Sequence, residues 1–301
     1  MALSPDNPFA LLRSWLFVPG ADLQVMLDAH RTGADVIVQE LEDFTPPERR
    51  PEARGYSAQV FEAWRQRGVV AAIRVNPLET CGLDDLRGAM AGRPEIVMMS
   101  KVESATQVLR LDQAILSLEH ELKITPGSTK IVPNIENALG VVNAIAIAKA
   151  SSRIDAMLVG TEDMVVDLDA DRSRESTELF YARSRFLLEC AAAGVLAIDS
   201  PYTFSDIEGA QADMQTSRSI GYKAKAVVNT SLVELTNRSL TPSPEQVASA
   251  KKQIAAFDVA RASGETRAEV DGLVVEFPSY FSAKRLLQRH ELLQRSLASR
   301  K

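Results

Sequence analysis

The sequence predicts an α/β fold, a TIM (β/α)8 barrel with a C-terminal helical extension or lid. Three observations point to it. Short apolar runs alternate with longer helical patterns eight times along the chain, and the first strand-to-helix turn, FVPGAD, lacks the G-x-G-x-x-G of a dinucleotide fold. Charged residues recur where the apolar runs end, the place where a barrel carries its active groups. The barrel is expected over residues 1–240, and the extension over 241–301, packed on the barrel or on a neighbouring subunit.

The strands are expected at Ser14–Val18, Val36–Glu42, Val69–Asn76, Ile96–Val102, Lys130–Glu136, Ala156–Gly160, Val195–Ser200 and Ala224–Asn229. Helical patterns between them include Leu23–His30, Pro51–Arg67, Ala105–Glu119, Leu139–Ala150, Glu175–Ala193 and Ser205–Ile220, with Leu232–Arg238 after the last strand. In the extension, Pro242-Ser243-Pro244-Glu245 reads as the proline-started beginning of a helix reaching about Ser263. A loop follows near Glu269–Pro278, then a last helix over Tyr280–Ser299. Met98-Met99, Trp15 and Trp64 read as packing residues.

The 301 residues, 46% hydrophobic and 25% charged, suit one barrel domain. A net charge of −6 argues against nucleic acid or an anionic membrane as partner, and the basic end Arg295–Lys301 is too short and lacks aromatic interleaving for a nucleic-acid arm. Cys81 and Cys190 make no disulfide framework, and the N-terminus has neither a signal-peptide pattern nor a spanning helix, so a cytoplasmic protein is expected. Cys81 has no histidine near it in sequence, which disfavours a thiol nucleophile. His30, His120 and His290 lie far apart in charged, helix-like stretches, which leaves oxygen ligands for any metal.

The strand ends carry Glu40-Leu41-Glu42-Asp43, Arg74 with Asn76, Lys101 with Glu103, Glu136, Glu162 with Asp163 beyond Gly160, Asp199, and Lys225 with Asn229. Any one of these, Glu103 or Asp199 especially, is an ordinary polar strand end. The set implies a shared polar pocket, because burying Arg74 or Glu40 costs several kcal/mol unless the charge is paired or metal-bound. Glu136 and Asp163 are expected on adjacent strands at matching heights. Two carboxylates, with waters and substrate, make up a usual Mg2+ site. The same pair could instead form salt bridges to Lys101 or Arg74.

The blocks RSWLFVPG, ELEDFTPPE, RVNPLET, SKVES, NIENALG, LVGTEDM, AIDSPY, LTPSPEQ and VDGLVVEFP follow one another in this order from Arg13 onward. Together they resemble the citrate lyase β-subunit-like branch of the HpcH/HpaI aldolase family, related to malyl-CoA and citramalyl-CoA lyases. The resemblance implies a Mg2+- (or Mn2+-) dependent lyase that cleaves a carbon–carbon bond of a small acid or acyl-CoA thioester. It implies Glu136 and Asp163 as metal ligands and Arg74, with Glu136 and Asp43, as substrate-binding groups. Arg74, Glu42 and the lid acid Glu276 would be catalytic, and the assembly a trimer-based homo-oligomer. A thioester hydrolase, a CoA-independent aldolase and a non-catalytic assembly subunit are the alternatives on the same scaffold.

Four positions depart from the family pattern. Glu40 stands where the family usually has Asp, Glu276 where its lid acid is usually Asp, and Asn229-Thr230 where His-Pro is usual. The turn after FVPG reads Ala21-Asp22-Leu23 in place of basic residues that help bind CoA phosphates, and Asp22 would repel a phosphate. The last two departures open the pocket to a different thioester carrier or a small free hydroxy acid.

Overall fold

The computed structural model describes Asn7 and residues 9–299 of the chain. The segment before Asn7 and the last two residues of the basic end lie outside the described residues. Eight parallel strands close into a barrel in sequence order: β1 (Ser14–Pro19), β2 (Val36–Glu40), β3 (Val70–Val75), β4 (Ile96–Met99), β5 (Lys130–Ile135), β6 (Ala156–Val159), β7 (Leu196–Asp199) and β8 (Ala224–Val227). Around them run α1 (Leu23–Asp28), α2 (Arg50–Arg65), α3 (Gly82–Met90), α4 (Ala105–Glu121), α5 (Ala138–Val142), α6 (Ala144–Ala148), α7 (Glu162–Asp167), α8 (Phe180–Ala193), α9 (Ile207–Ile220) and α10 (Val233–Ser239). All eight expected strands are present. Most stop earlier than expected, since the residues beyond them turn into loops that carry the charged groups.

Alternation along each strand divides the core in two. Trp15, Phe17, Val36, Val38, Ala72, Ile96, Met98, Val132, Leu158 and Ile198 fill the barrel interior. Their neighbours Leu16, Val18, Ile37, Ile73, Val97, Met99 and Ile131 pack outward with Phe61, Trp64 and Phe186 of the helices. Met98 and Met99 therefore serve opposite layers. Trp15 sits edge-on to Phe9 at 5.8 Å, and Trp64 Nε1 donates to the Met26 carbonyl at 2.8 Å, so both tryptophans are packing residues.

Capping residues set several helix starts. Ser104 and Gln107 form a capping box at α4, and the Asp206 carboxylate accepts from Gly209 N at the start of α9. The helix expected over Leu139–Ala150 is two short helices divided at Asn143, whose Nδ2 donates to the Glu103 carbonyl at 2.8 Å. The one expected from Glu175 begins as α8 at Phe180, after Ser176 takes a left-handed conformation (φ 52°).

Residues from Ser239 onward form a second compact unit. It contains α11 (Pro244–Ala262), β9 (Ala268–Val270), β10 (Leu273–Val275) and α12 (Phe277–Ser299). Ser243 and Gln246 make a capping box at α11 with Pro244 in the first turn. The stretch expected as a loop near Glu269–Pro278 is instead an antiparallel hairpin. Asp271 and Gly272 turn it, with φ of 50° and 78°, the positive pair that a tight two-residue hairpin turn requires. Within this unit Phe257 packs against Phe277 at 5.2 Å and Tyr280 at 4.8 Å.

Candidate active site at the barrel mouth

Parallel register sets Glu40 of β2 beside Arg74 of β3, and both are in phase with the interior residues of their strands. Arg74 is the hub. Its Nε donates to Glu40 Oε1 at 2.9 Å, one terminal nitrogen lies 3.2 Å from Glu42 and 3.1 Å from Asp43, and the other 3.5 Å from Glu136. The guanidinium also stands 5.4 Å above the Phe17 ring. Burial opposes its charge, but Glu40, Glu136, Glu42 and Asp43 outweigh that and hold it firmly protonated.

Glu40 supports this group from below. Its carboxylate accepts the Glu42 N–H at 2.6 Å and the Phe44 N–H at 2.5 Å, tying down the loop that presents Glu42 and Asp43. Thr45 assists: its hydroxyl donates to the Glu40 carbonyl at 2.5 Å and accepts the Gly20 N–H at 3.0 Å. The Arg50 guanidinium clamps the same loop by donating to the Thr45 and Glu42 carbonyls and comes within 3.4 Å of Cys81 Sγ.

Glu136, the residue after β5, is 3% exposed. Burial raises its carboxyl to about 8, with Arg74 opposing and Glu42 and Asp163 reinforcing the shift. One oxygen faces Arg74, and the other accepts the Lys101 N–H at 3.0 Å. Lys101 achieves this with a left-handed backbone (φ 56°), a strain of about 1–3 kcal/mol for a side-chain-bearing residue. Its ammonium lies 2.8 Å from Glu42 Oε1 and 3.9 Å from Asp163 Oδ2. Burial raises the Glu42 carboxyl as well, against Arg74 and Lys101. Below Glu136 in the interior, the amide of Asn134 is fully buried and neither of its polar atoms has a protein hydrogen-bond partner.

Asp163 differs from the expectation. The register aligns Ile135 with Val159, which places Gly160 level with Glu136, while Asp163 lies farther on, in the first turn of α7. It is thus a helix residue beyond the strand, its side chain 43% exposed. The salt bridges expected as the rival reading, Arg74–Glu136 and Lys101–Asp163, are both present.

The donor set fits a hard divalent cation. Among the described residues, five carboxylates, Glu40, Glu42, Asp43, Glu136 and Asp163, pair with two cations, Arg74 and Lys101. Gly160 leaves the space that Glu136 uses. The described residues contain no group of three His, Cys, Asp or Glu side chains arranged around one ion. Glu136 and Asp163, which both meet Lys101, would hold such an ion with waters and substrate oxygens completing its shell, as Mg2+ is usually bound.

Other strand-end charges belong elsewhere. Asp199 and Lys225 are out of phase with the interior and turn outward into a buried ion cluster. Arg183 donates to Asp199 at 2.9 Å and Asp213 at 2.8 Å, and Lys225 lies 2.9 Å from Asp199 and 2.8 Å from Asp213. Lys225 and Arg183 outweigh the effect of burial and hold Asp199 well below the usual carboxylate range. Glu103 accepts from Asn137 Nδ2, and Asn229 caps the turn that precedes α10. Asn76 is tied to Asp85 and to the Leu41 carbonyl, so it braces the second and third strand ends.

Two findings bear on the turn after FVPG. Asp22 is the N-cap of α1, accepting the Val25 N–H at 3.1 Å, which gives its charge a local structural use. The turn is also not devoid of basic groups: Arg49, distant in sequence, donates to the Ala21 carbonyl at 2.6 Å. Glu276 lies in the second unit between β10 and α12, exposed, with its N–H donating to Ser279 Oγ at 2.9 Å.

The HpcH/HpaI aldolase/citrate lyase family model matches residues 13–230. Citrate lyase subunit beta of Haemophilus influenzae is 32% identical over 281 residues, 93% of this chain and 97% of that protein. The (3S)-malyl-CoA thioesterase of Cereibacter sphaeroides is 29% identical over 289 residues, 95% of this chain and 96% of that one. The crystal structure of CitE from Mycobacterium tuberculosis in complex with magnesium, acetoacetate and coenzyme A matches at a TM-score of 0.75 and 26% identity, covering 93% of this chain and 98% of that chain. No helix among the described residues is long and apolar enough to cross a membrane. The closed barrel, the acidic mouth around Arg74 and a family match over most of the chain lead to one conclusion: this protein belongs to the HpcH/HpaI aldolase/citrate lyase family.

Proposed function

We propose that this protein is a Mg2+-dependent lyase that cleaves a carbon–carbon bond of a small hydroxyacyl thioester such as malyl-, citramalyl- or citryl-CoA. The observation that carries the reading is the Arg74 hub, one guanidinium shared by four carboxylates at the mouth of the barrel. Glu136 and Asp163 are the protein ligands, and Mn2+ would fit the same oxygens. When bound, the cation supplies Lewis acidity and a template for the hydroxyl and carboxylate of the substrate. The magnesium and coenzyme A held by the CitE structure support this choice.

Glu42 takes the proton of the substrate hydroxyl, a task suited to a carboxyl that burial makes more basic than usual. The carbon–carbon bond then breaks, leaving an oxo acid and the enolate of the shortened thioester. Arg74 stabilises the developing oxyanion and, with Asp43, orients the substrate. Glu276 returns a proton to the enolate as the lid acid supplied by a neighbouring subunit of a trimer-based homo-oligomer. The Arg49 guanidinium beside Ala21 supports a phosphorylated carrier at this turn.

The thioesterase among the relatives favours a second reading, hydrolysis of the thioester by the same groups. Product analysis after incubation with Mg2+ and malyl-CoA separates the two. Glyoxylate with acetyl-CoA means a lyase, and malate with free CoA means a hydrolase. Neither product from malyl-CoA nor from citramalyl-CoA would remove the CoA reading and point to free hydroxy acids.

A further inference from the structure

We propose that the Lys101 ammonium is a tethered cation that restrains metal binding at the Glu136–Asp163 pair while keeping the mouth of the barrel able to accept an anionic substrate. The inference rests on the metal site proposed above and assigns Lys101 a role beyond that of an ion-pair partner.

Three features lead to it. First, the Lys101 backbone is left-handed, a conformation in which its N–H reaches Glu136 Oε2 at 3.0 Å. That contact fixes where the residue sits, so the side chain starts from the edge of the metal pair. Second, the ammonium lies 2.8 Å from Glu42 Oε1 and 3.9 Å from Asp163 Oδ2. It stands between a base and a ligand, a position a divalent ion approaching Asp163 must share or contest. Third, among the described residues it is one of two cationic groups paired with the five carboxylates, and Arg74 is committed to four of these.

Two consequences follow, with opposite signs. Without the ammonium, Asp163 loses a competing cation and the site becomes more negative, so a divalent ion binds more tightly. The same added negative charge repels a substrate carboxylate, so the substrate binds less tightly. With the ion in place, the ammonium keeps its contact to Glu42 and still offsets one charge. Lys101 is therefore a positioning residue that sets the balance between metal and anion affinity. A residue that merely braced the fold would weaken both when removed.

The test is titration of metal-free wild type, Lys101→Met and Lys101→Arg with Mn2+, followed by calorimetry or by the electron paramagnetic resonance of the free ion, without substrate. Lys101→Met is expected to bind Mn2+ roughly fivefold or more tightly, the scale of a half-exposed unit charge a few ångströms away. Lys101→Arg, which keeps the charge, is expected to stay near wild type. In the metal-saturated proteins the KM for the thioester should rise in Lys101→Met. Unchanged or weaker Mn2+ binding in a folded Lys101→Met overturns the inference and leaves the metal site standing. Absence of Mn2+ binding in the wild type removes the metal site, and this inference with it.

Discussion

Gly160 and Glu136 face each other across neighbouring strands so closely that a Cβ on Gly160 would stand 2.6 Å from Glu136 Cγ. The Glu136 carboxylate is pinned between Arg74 and the Lys101 N–H, so it cannot swing aside cheaply. Gly160→Ala is expected to displace Glu136 and weaken Mn2+ binding by about 10–100-fold, as loss of a supporting contact does at metal sites. Overpacking should also destabilise the fold by about 1–3 kcal/mol. A metal titration and a thermal melt read both effects, and wild-type affinity in the alanine variant would dissociate Gly160 from the ligand geometry.

Arg74→Ala removes the shared partner of Glu40, Glu42, Asp43 and Glu136. Its kcat/KM should fall by about 10²–10³, the usual cost of losing one oxyanion donor. Leaving buried carboxylates unpaired should also lower stability by about 3–5 kcal/mol. Arg74→Lys keeps the charge but cannot span four partners, so it should recover stability more than turnover. Steady-state kinetics beside denaturant unfolding would show this separation, and full turnover in the alanine variant would exclude Arg74 from the chemistry.

Glu136 gives the metal-free protein a defined pH dependence. Its carboxyl is raised from 4.5 to about 8 in the folded state, chiefly by burial, so folding favours the protonated form. That contribution to stability is complete below 4.5 and is lost as pH rises through about 8. Mg2+ competes with this proton, so the stabilisation added by Mg2+ should grow over the same window. Melting curves with and without Mg2+ across that range check the trend. Glu136→Gln should flatten both slopes, and equal slopes in the variant would point to another group.

The Asp199 cluster should matter to the fold and not to the reaction. Asp199→Asn weakens the buried partnership with Arg183 and Lys225 and is expected to cost about 3–5 kcal/mol, while turnover per folded molecule stays as in wild type. A variant of normal stability and impaired turnover would return Asp199 to the active site.

Strand phase explains how far the sequence could be read. Glu40, Arg74 and Glu136 continue the alternation of Val36, Ala72 and Val132 into the barrel interior, so their convergence follows from period two once the strands are placed. The same count sends Asp199 and Lys225 outward, a distinction that strand-end position alone does not make. Asp163 needed the length of the β6 loop, because α7 begins at Glu162 and carries it off the strand. Arg49 and Ala21 are 28 residues apart and meet only after folding. The left-handed backbone of Lys101 has no local sequence signal, since a lysine does not favour it and the Glu136 contact selects it. In the C-terminal unit, by contrast, Asp271-Gly272 is a local hairpin signal of the strongest short-range kind.

Turnover of malyl-CoA and citramalyl-CoA with Mg2+, with EDTA and with Glu136→Ala tests the proposed metal-dependent cleavage most directly. Release of glyoxylate or pyruvate that requires Mg2+ and vanishes in a folded Glu136→Ala is the expected result. Cleavage that continues in EDTA, or persists in the variant, would contradict a reaction built on Glu136 and its metal.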